Sequence, residues 1–329
     1  MDKLYLVTGA TGHLGNTIVN KLSVAGCNVR ALVLPGETIS KCKESFTGDV
    51  RDKESLRGFF SNPGNNELIV IHVAGIVSIS STYNHNVYDV NVNGTKNIVD
   101  LCREYHVSKL IYVSSVHAIP EKPIGQEIVE IRDFFPEKVE GLYAKTKAEA
   151  TAYVLNAQHE FHVNIVHPSG ICGPYDDKRG HINALITDYC NGRLLAIIHG
   201  GYDFVDVRDV ADGIISCCEK GKRGECYILS NKYFSIQELI HMLSEITEKK
   251  DIQFKLPFWF AVLTSSFSEL YYKILRRPPL YTPYSLYVLR SNSNFSHEKA
   301  KKELGYTVTD MRKTLSDTVD WLVRYHRVK

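Results

Sequence analysis

The sequence predicts an α/β protein whose strands form a doubly wound parallel sheet. Through the first half of the 329 residues, short apolar runs alternate with helical patterns, which is typical of such sheets. The runs are rich in Val and Ile and apolar on both faces, as strands covered by helices on each side must be. A glycine-rich turn joins the first strand to the first helix. In sheets of this kind, ligands bind at the carboxyl ends of the strands.

Short apolar runs predict the strands in chain order. They lie at Leu4–Val7, Asn28–Leu34, Ser45–Thr47, Leu68–Ala74, Leu110–Ser114, Val163–Val166 and Cys226–Leu229. Between the first two runs, Leu14, Ile18 and Leu22 repeat at four-residue spacing, which places them on one face of a helix. This alternation of strand and helix predicts parallel pairing along the sheet.

The rhythm changes after Pro168, where glycines and a proline indicate a loop. We expect Phe204–Val207 to return towards the sheet. Helical patterns follow at His181–Cys190, Asp209–Glu219, Ile236–Ile246, Phe258–Ile274 and Met311–Tyr325. The sequence contains no repeat and no low-complexity linker, so the later region is expected to pack against the first and leave a cleft.

Composition and charge narrow the class of protein. The formal net charge is +2 and no run of five like charges occurs, which argues against a nucleic-acid partner. The most apolar late stretch, Leu256 to Ile274, contains Glu269 and several serines, whereas a spanning helix needs about 20 predominantly apolar residues. We therefore interpret it as a buried or substrate-covering helix, with a membrane contact as the alternative and no membrane span.

The cysteines and the first residues indicate the compartment. No signal-peptide pattern precedes the turn at Thr8-Gly9. The eight cysteines include no C-x-x-C pair, which favours reduced, mostly buried thiols over disulfides or metal ligands. A cytoplasmic protein without a metal site is the expectation.

The turn after the first strand is the strongest local signal. It reads Thr8-Gly9-Ala10-Thr11-Gly12-His13-Leu14-Gly15, with glycines at G-x-x-G-x-x-G spacing. Such a turn lets backbone N–H groups approach a pyrophosphate at the positive end of a helix. A dinucleotide site is therefore predicted, against the alternative of an ordinary tight turn.

The choice of cofactor is less clear from the residues. An acidic residue after the second strand would bind the ribose hydroxyls of NAD, whereas a nearby Arg would accommodate the 2′-phosphate of NADP. Leu34 at that strand end supplies neither group, and Arg30 is expected inside the strand. NADP is slightly favoured, and Glu37 keeps NAD open. Asp49 could accept a hydrogen bond from adenine or could cap a turn.

A Tyr-x-x-x-Lys pair and a serine form the candidate catalytic group. Tyr143 and Lys147 are four residues apart in a helix-forming run, so they share one helical face. A nearby ammonium favours ionisation of a phenol whose ordinary pKa is about 10. Ser115 follows the Leu110 strand at the edge where ligands bind, and its hydroxyl can hold a substrate carbonyl oxygen. The alternative is a solvated helix face.

These motifs, in this order, resemble an extended short-chain dehydrogenase/reductase of the epimerase/dehydratase superfamily. The resemblance runs from Leu4 to about Gly305 and includes Gly48-Asp49, His72–Gly75, Asn91–Thr95, His167–Pro174 and Val207–Ala211. It implies a Rossmann-type sheet of about seven strands and a smaller, mostly helical substrate domain. The implied division is 1–168 and 203–229 for the NAD(P)-binding domain, and 169–202 and 230–329 for the substrate-binding domain.

The resemblance also implies roles for single residues. Ser115 would orient the substrate, Tyr143 would act as acid and base, and Lys147 would lower the pKa of the tyrosine and bind the nicotinamide ribose. Asn93 would bond backbone between strands. The implied NAD(P) contacts are Gly9, Thr11, Gly12, His13, Leu14, Gly15, Leu34, Asp49, Val50, Ala74, Gly75, Val113, Tyr143, Lys147, Pro168, Gly170 and Ile171.

Within the family, Ser114-Ser115 followed by Val116-His117-Ala118 is most similar to the dihydroflavonol reductase and 3β-hydroxysteroid dehydrogenase branch. This similarity implies hydride transfer between NAD(P)H and a carbonyl or secondary alcohol of a small hydrophobic molecule, with a homodimer as the possible assembly. An NDP-sugar epimerase or dehydratase that uses the cofactor transiently is one alternative. A nucleotide-sensing regulator without turnover is the other.

Two further features are left open. His117 could touch a substrate or could be a loop residue. Aromatic side chains crowd the late region and could line an apolar pocket or pack helices. They are Phe258, Trp259, Phe260, Tyr271, Tyr272, Tyr281, Tyr284 and Tyr287.

Overall fold

The computed structural model describes residues 2–79, 83–177, 180–265 and 282–328. Its strands are β1 Lys3–Thr8, β2 Asn28–Val33, β3 Glu44–Thr47, β4 Glu67–His72, β5 Lys109–Val113, β6 His162–Pro168, β7 Gly170–Cys172, β8 Ile197–Ile198, β9 Gly201–Asp206, β10 Cys226–Leu229, β11 Lys232–Ser235 and β12 Lys255–Leu256. Its α-helices are α1 His13–Val24, α2 Arg57–Phe60, α3 His85–Tyr88, α4 Gly94–Glu104, α5 Leu142–Asn156, α6 His181–Cys190, α7 Val207–Lys220, α8 Ile236–Thr247, α9 Pro283–Val288, α10 Glu298–Leu304 and α11 Met311–Arg324. Shorter helical turns lie at Glu54–Leu56, Asp89–Asn93, Val116–Ala118, Pro136–Lys138 and Ala157–His159.

Seven of the described strands form one parallel sheet in the order β10-β6-β5-β4-β1-β2-β3. The predicted doubly wound parallel sheet is therefore confirmed. The strand order reverses direction at β1, between β4 and β2, and such a switch point opens a crevice at the carboxyl edge. The predicted strand over 68–74 ends at His72, two residues early, so Val73 and Ala74 belong to the loop at this edge.

Helices cover both faces of this sheet and bury its apolar side chains. On one face, Ile18 of α1 and Ile214 of α7 pack with Val7 and Ile71 of the sheet. On the other face, helices α4 and α5 pack against the alternate side chains of the same strands. The two clusters explain why the strands are apolar throughout.

The segment Phe204–Val207 departs from expectation. Phe204 to Asp206 belong to β9, which pairs with β7 and β11 in a separate three-stranded sheet, so the expected return to the main sheet is wrong for this strand. Helix α7, which starts at Val207, does pack against α1 of the main sheet. The division into two domains stays a prediction.

The late apolar stretch is also exposed where it is described. Residues 258–265 are helical, and 68% of the Trp259 surface and 63% of the Leu263 surface remain exposed. This part is therefore not a buried helix, and the substrate-covering interpretation stays a prediction. Tyr271, Tyr272, Tyr281 and the predicted helix beyond residue 265 lie outside the described residues. Among the described helices, none has the length and hydropathy needed to cross a membrane.

Candidate active site

The glycine-rich turn is packed too tightly for side chains at two of its positions. Gly9 has a φ of +65°, and a methyl group built on it would lie 2.7 Å from the backbone nitrogen of Ala74. A methyl group on Gly15 would collide with the carbonyl of Gly9. The first contact holds the turn against the loop after β4, and the second closes the turn on itself. Glycine is therefore required by close approach at both positions and also by backbone angle at Gly9.

The start of α1 fits an anionic group. Gly12 is the N-cap, no side chain caps the helix, and the first turn contains no acidic residue. The first N–H groups of a helix have no partner within the helix and carry its positive end. A helix start with open N–H groups beside a glycine-rich turn is what a pyrophosphate needs. The residues present therefore fit the predicted dinucleotide.

The other side chains of this turn make contacts within the protein. Thr11 donates a hydrogen bond to the Glu37 carboxylate. The Nε2 atom of His13 lies 2.8 Å from the Pro174 carbonyl oxygen, and burial lowers the His13 pKa. Leu14 is buried in the core. The backbone groups of His13 and Leu14, rather than their side chains, are therefore the parts expected to contact a cofactor.

The segment after β2 brings the Glu37 carboxylate to the glycine turn. Leu34 is 44% exposed, and Glu37 contacts Thr11 of the glycine turn. Arg30 is buried, pairs with Glu44 at 2.8 Å, and donates to the carbonyl of Asn62 at 3.0 Å. Arg30 is thus committed inside the sheet and cannot reach a ribose phosphate.

Asp49 has a partner of its own. Its carboxylate accepts from the Arg51 backbone N–H at 2.9 Å and from the Arg51 guanidinium at 3.0 Å, and these bonds lower its pKa. This geometry is that of a turn stabilised by its aspartate. The neighbouring Val50 is buried against Gly94, so its backbone is the part left for a ligand.

A buried asparagine holds the loop that contains Ala74 and Gly75. Asn91 accepts from the Ile76 N–H at 2.8 Å and donates to the Ile76 carbonyl at 3.0 Å. It also donates to Thr146 of α5 at 3.1 Å. Asn91 lies in a single π-helical turn between α3 and α4, a feature that often marks functional sites.

The role expected of Asn93 was assigned to the wrong asparagine of the pair. Asn93 is exposed and donates to the nearby Asp89 carboxylate, whereas Asn91 bonds to the backbone. The four-residue spacing of Asn91 and Thr95, whose hydroxyl donates to the Asn91 carbonyl at 2.7 Å, was the signal available in the sequence.

Ser115 and Tyr143 come together at the carboxyl edge of the sheet. Ser115 follows β5 and caps the short turn Val116–Ala118 by accepting from the His117 N–H at 3.2 Å. Tyr143 lies in the first turn of α5 and is 7% exposed. Burial raises the pKa of Tyr143 to about 12, and a hydrogen bond with Ser115 opposes that rise.

Lys147 lies one turn further along α5, on the face predicted. Its Nζ donates to the Val113 carbonyl at 2.8 Å and lies 5.0 Å from the centre of the Tyr112 ring. Burial lowers its pKa to about 7. Burial thus moves both pKa values towards the neutral forms, and the lowering of the Tyr143 pKa by Lys147 stays a prediction.

The segment Pro168 to Ile171 begins at the end of β6, the strand next to β5, at the carboxyl edge of the sheet. Pro168 ends β6, and Gly170 and Ile171 pair with Phe204 and Val205 of β9. A methyl group on Gly170 would lie 2.9 Å from the Asp203 carbonyl. The segment is therefore fixed between the main sheet and the small one.

An aromatic pocket adjoins this site, and the sequence did not identify all of its members. Its walls include His117, Tyr202, Tyr284, Tyr287 and Phe295. His117 contacts the Tyr143 ring, with centroids 5.9 Å apart. Exposed charged side chains lie at the rim of the pocket: Glu121, Lys138 and Glu140. The contributing segments are far apart in sequence, so no local pattern predicts Tyr202 or Phe295.

Known proteins resemble the chain over nearly its whole length. It is 30% identical to sterol demethylase protein B of Methylococcus capsulatus, over 96% of this chain and 97% of that protein. It is 29% identical to a putative dihydroflavonol 4-reductase of Synechocystis, over 100% of this chain and 97% of that protein. The crystal structure of gox2253 superposes with a TM-score of 0.84 at 30% identity, covering 100% of both chains.

The family model of the NAD-dependent epimerase/dehydratase family matches residues 5–230, the part that contains the glycine turn, Ser115, Tyr143 and Lys147. With a full-length relative at 30% identity, the chain belongs to the NAD-dependent epimerase/dehydratase family, the extended short-chain dehydrogenases/reductases.

Proposed function

We propose that the protein is an NAD(P)-dependent oxidoreductase that transfers hydride between the nicotinamide and a carbonyl or secondary alcohol of a small hydrophobic molecule. One observation carries this proposal: the Tyr143 phenol is buried beside Ser115, whose hydroxyl opposes the rise in the tyrosine pKa, and it shares a helix face with Lys147 at the edge of the sheet. This arrangement places a proton donor and a hydroxyl beside the crevice that fits a dinucleotide.

Tyr143 supplies or removes the proton in this proposal. Because burial raises its pKa to about 12, it is a neutral phenol at pH 7 and is ready to donate to a carbonyl oxygen. Ser115 holds that oxygen through its hydroxyl. Reduction of a carbonyl therefore needs no prior ionisation, whereas oxidation of an alcohol needs the phenolate, which the burial disfavours.

NAD(P) supplies the hydride when it is bound. Lys147 is the residue for the nicotinamide ribose, because its Nζ lies at the Val113 carbonyl and a methyl group on Gly75 would lie 3.3 Å from it. The absence of a side chain at Gly75 thus leaves room beside the lysine. The glycine turn would hold the pyrophosphate, and Pro168 to Ile171 would face the nicotinamide.

We favour NAD over NADP as the cofactor. The sequence slightly favoured NADP because no carboxylate obviously opposed a 2′-phosphate, but the Glu37 carboxylate contacts Thr11 of the glycine turn. A carboxylate there can accept hydrogen bonds from the ribose hydroxyls of NAD and repels the 2′-phosphate of NADP. Arg30 is engaged with Glu44 and backbone carbonyls and gives no compensation.

An apolar substrate is supported by the rings around the pocket and by a relative whose name is sterol demethylase protein B. The polar part of such a substrate would be its carbonyl, directed towards Ser115 and Tyr143. The two domains of the predicted division would then contribute the cofactor crevice and most of the aromatic wall.

The test is a binding comparison of NADH and NADPH, followed by a screen of cyclic ketones in which product and oxidised cofactor are both quantified. One NADH consumed per alcohol formed supports the oxidoreductase. Substrate isomerisation with no net cofactor change would establish the epimerase alternative instead. Cofactor binding without turnover of ketones or sugar nucleotides would favour the sensing regulator.

A matched pair of tyrosine variants locates the chemistry. We expect Tyr143→Phe to lower kcat by at least about 100-fold, the usual size of a general acid's contribution, without changing NADH affinity. Tyr153→Phe is the control, because Tyr153 lies on the same helix and its hydroxyl contacts Asp100 and Arg103 instead.

A further inference from the structure

We propose that His117 and Tyr284 are positioning residues that hold the Tyr143 phenol against Ser115. This inference rests on the proposed function and deepens it, because it names what keeps the proton donor in place. Neither residue donates or accepts a proton in the proposed reaction. Their contacts connect the loop that contains Ser115 to the start of the helix that contains Tyr143.

His117 contacts both members of the pair. Its backbone N–H donates to the Ser115 Oγ at 3.2 Å. Its imidazole packs edge-on against the Tyr143 ring, with centroids 5.9 Å apart and an interplanar angle of 73°. His117 therefore links the two groups, through its backbone to the serine hydroxyl and through its imidazole to the phenol, so a shift of this residue would move one relative to the other.

Two further phenols hold the imidazole in turn. The Tyr202 hydroxyl lies 3.3 Å from Nε2, and the two rings are stacked at 5.6 Å. The Tyr284 hydroxyl lies 3.4 Å from Nδ1. Burial lowers the His117 pKa to about 4, so the ring is neutral at pH 7 and has one donor and one acceptor nitrogen. One phenol therefore donates to it while the other accepts.

Tyr284 also contacts the start of the catalytic helix. Gly141 is the N-cap of α5, two residues before Tyr143, and its φ is +88°. A methyl group built on Gly141 would collide with the Tyr284 ring. The absence of a side chain at Gly141 thus lets the ring of Tyr284 lie directly on the helix start while its hydroxyl reaches His117.

Through the helix start these contacts lead back to Tyr143 beside Ser115, so they form one loop of five residues: Ser115, His117, Tyr284, Gly141 and Tyr143. A misplacement of about 1 Å at a reacting group can cost about 100-fold in rate. The loop should therefore affect the rate of the chemical step more than the binding of cofactor, whose turn lies at the other end of the crevice.

The experiment measures kcat, KM and NADH affinity for His117→Phe, His117→Ala, Tyr284→Phe and a double His117→Phe/Tyr284→Phe variant. His117→Phe keeps the ring contacts and loses the hydrogen bonds, so we expect kcat to fall about tenfold. His117→Ala loses both and should fall about 100-fold. Tyr284→Phe loses only one of the two bonds to the imidazole and should lower kcat by no more than His117→Phe. The double variant should fall no further than His117→Phe, because the bond that Tyr284→Phe removes is already lost in it.

Tyr189→Phe is the matched control, because Tyr189 is a buried tyrosine whose hydroxyl bonds to the Lys250 carbonyl, outside the pocket. It should keep the kcat of the unmodified protein. Unchanged kcat in His117→Phe and Tyr284→Phe, or additive losses in the double variant, would overturn the positioning role while leaving the oxidoreductase proposal intact.

A crystal structure of Tyr284→Phe gives a readout independent of turnover. We expect the His117 ring to rotate and the contact between the Tyr143 hydroxyl and Ser115 to lengthen. If the unmodified protein has no turnover, the oxidoreductase proposal fails and this structure alone decides the inference. Unmoved His117 and Tyr143 side chains would then overturn it.

Discussion

The two ends of the crevice are built in opposite ways. The end that fits the dinucleotide depends on missing side chains and backbone groups: Gly9 and Gly15 permit a close turn, and Gly12 leaves the start of α1 open. The other end depends on large side chains, with His117 between Tyr202 and Tyr284. The first end is made by residues adjacent in sequence, whereas the second brings together residues 167 positions apart.

Because of this difference, the two ends of the crevice tolerate different substitutions. A side chain added to the glycine turn meets backbone, which cannot move without unpairing strands. A side chain shortened in the pocket leaves space that changes the fit of a substrate. Changes at the first end should therefore affect folding and cofactor binding, and changes at the second should affect kcat and substrate choice.

The largest effect is expected from Gly9→Ala. The added methyl group meets the Ala74 backbone at 2.7 Å at a φ of +65°, so strain and overpacking together should lower the free energy of unfolding by about 3–4 kcal/mol. Gly26→Ala is the control, because its φ is +77° with nothing within 4 Å, and it should cost about 1 kcal/mol. Urea unfolding measures both; equal losses would contradict the packing argument.

Acidification should destabilise the fold through histidines beneath the crevice. Burial lowers the pKa of His72 to about 3 and that of His167 to about 4, whereas an unfolded histidine titrates near 6.5. The unfolded chain therefore binds protons first, and stability falls as pH drops below about 6.5. Each histidine should cost about 2 kcal/mol between pH 7 and pH 5.

Urea unfolding at the two pH values checks this loss. His72→Gln should make the stability less dependent on pH, whereas His199→Gln, at an exposed position, should leave the dependence unchanged. An identical loss of stability in His72→Gln and the unmodified protein would show that burial of this imidazole is not the cause.

A smaller effect is expected at the ribose side of the crevice. Glu37→Gln removes the carboxylate that contacts Thr11, and the NADPH-to-NADH affinity ratio should rise about tenfold, which corresponds to about 1.4 kcal/mol. Fluorescence titration with each cofactor measures the ratio. Leu34→Gln is a control at the same strand end without the charge change, and its ratio should stay near that of the unmodified protein.

The smallest effect on the site is expected in the pocket wall. Phe295→Leu replaces an aromatic ring of the pocket wall with a smaller side chain. The Phe295 ring packs against Tyr202, with ring centroids 6.0 Å apart. We expect the order of KM values across a ketone series to change while NADH affinity stays the same. A changed NADH affinity would mean that the two ends of the crevice are coupled, contrary to the comparison.

The sequence predicted the glycine end well and the aromatic end poorly for the same reason. Periodicity and glycine spacing within about twenty residues specify β1, the turn and α1, so a local sequence pattern is enough to predict them. Tyr143 and Lys147 share a helix face and were predicted together. Tyr202 lies in a strand that joined a second sheet, and this pairing depends on long-range packing that no local pattern encodes.

Charges were harder to predict than positions. Placing Lys147 beside Tyr143 suggested an ionised ammonium that lowers the pKa of the phenol, but the structure buries both groups, raising one pKa and lowering the other. Burial depends on the packing of β5, β6 and α5 together. The position of the Glu37 carboxylate was equally hard to predict, because its contact with Thr11 depends on how the loop after β2 folds back.

The central claim is that hydride passes between the nicotinamide and a substrate carbon while Tyr143 provides the proton. Single turnover with NADH deuterated at both C4 positions, followed by mass analysis of the alcohol, tests it most directly. The account predicts one deuterium on the carbinol carbon with the unmodified protein, and transfer at least about 100-fold slower with Tyr143→Phe at equal NADH affinity. Deuterium transfer at the same rate in Tyr143→Phe would contradict it.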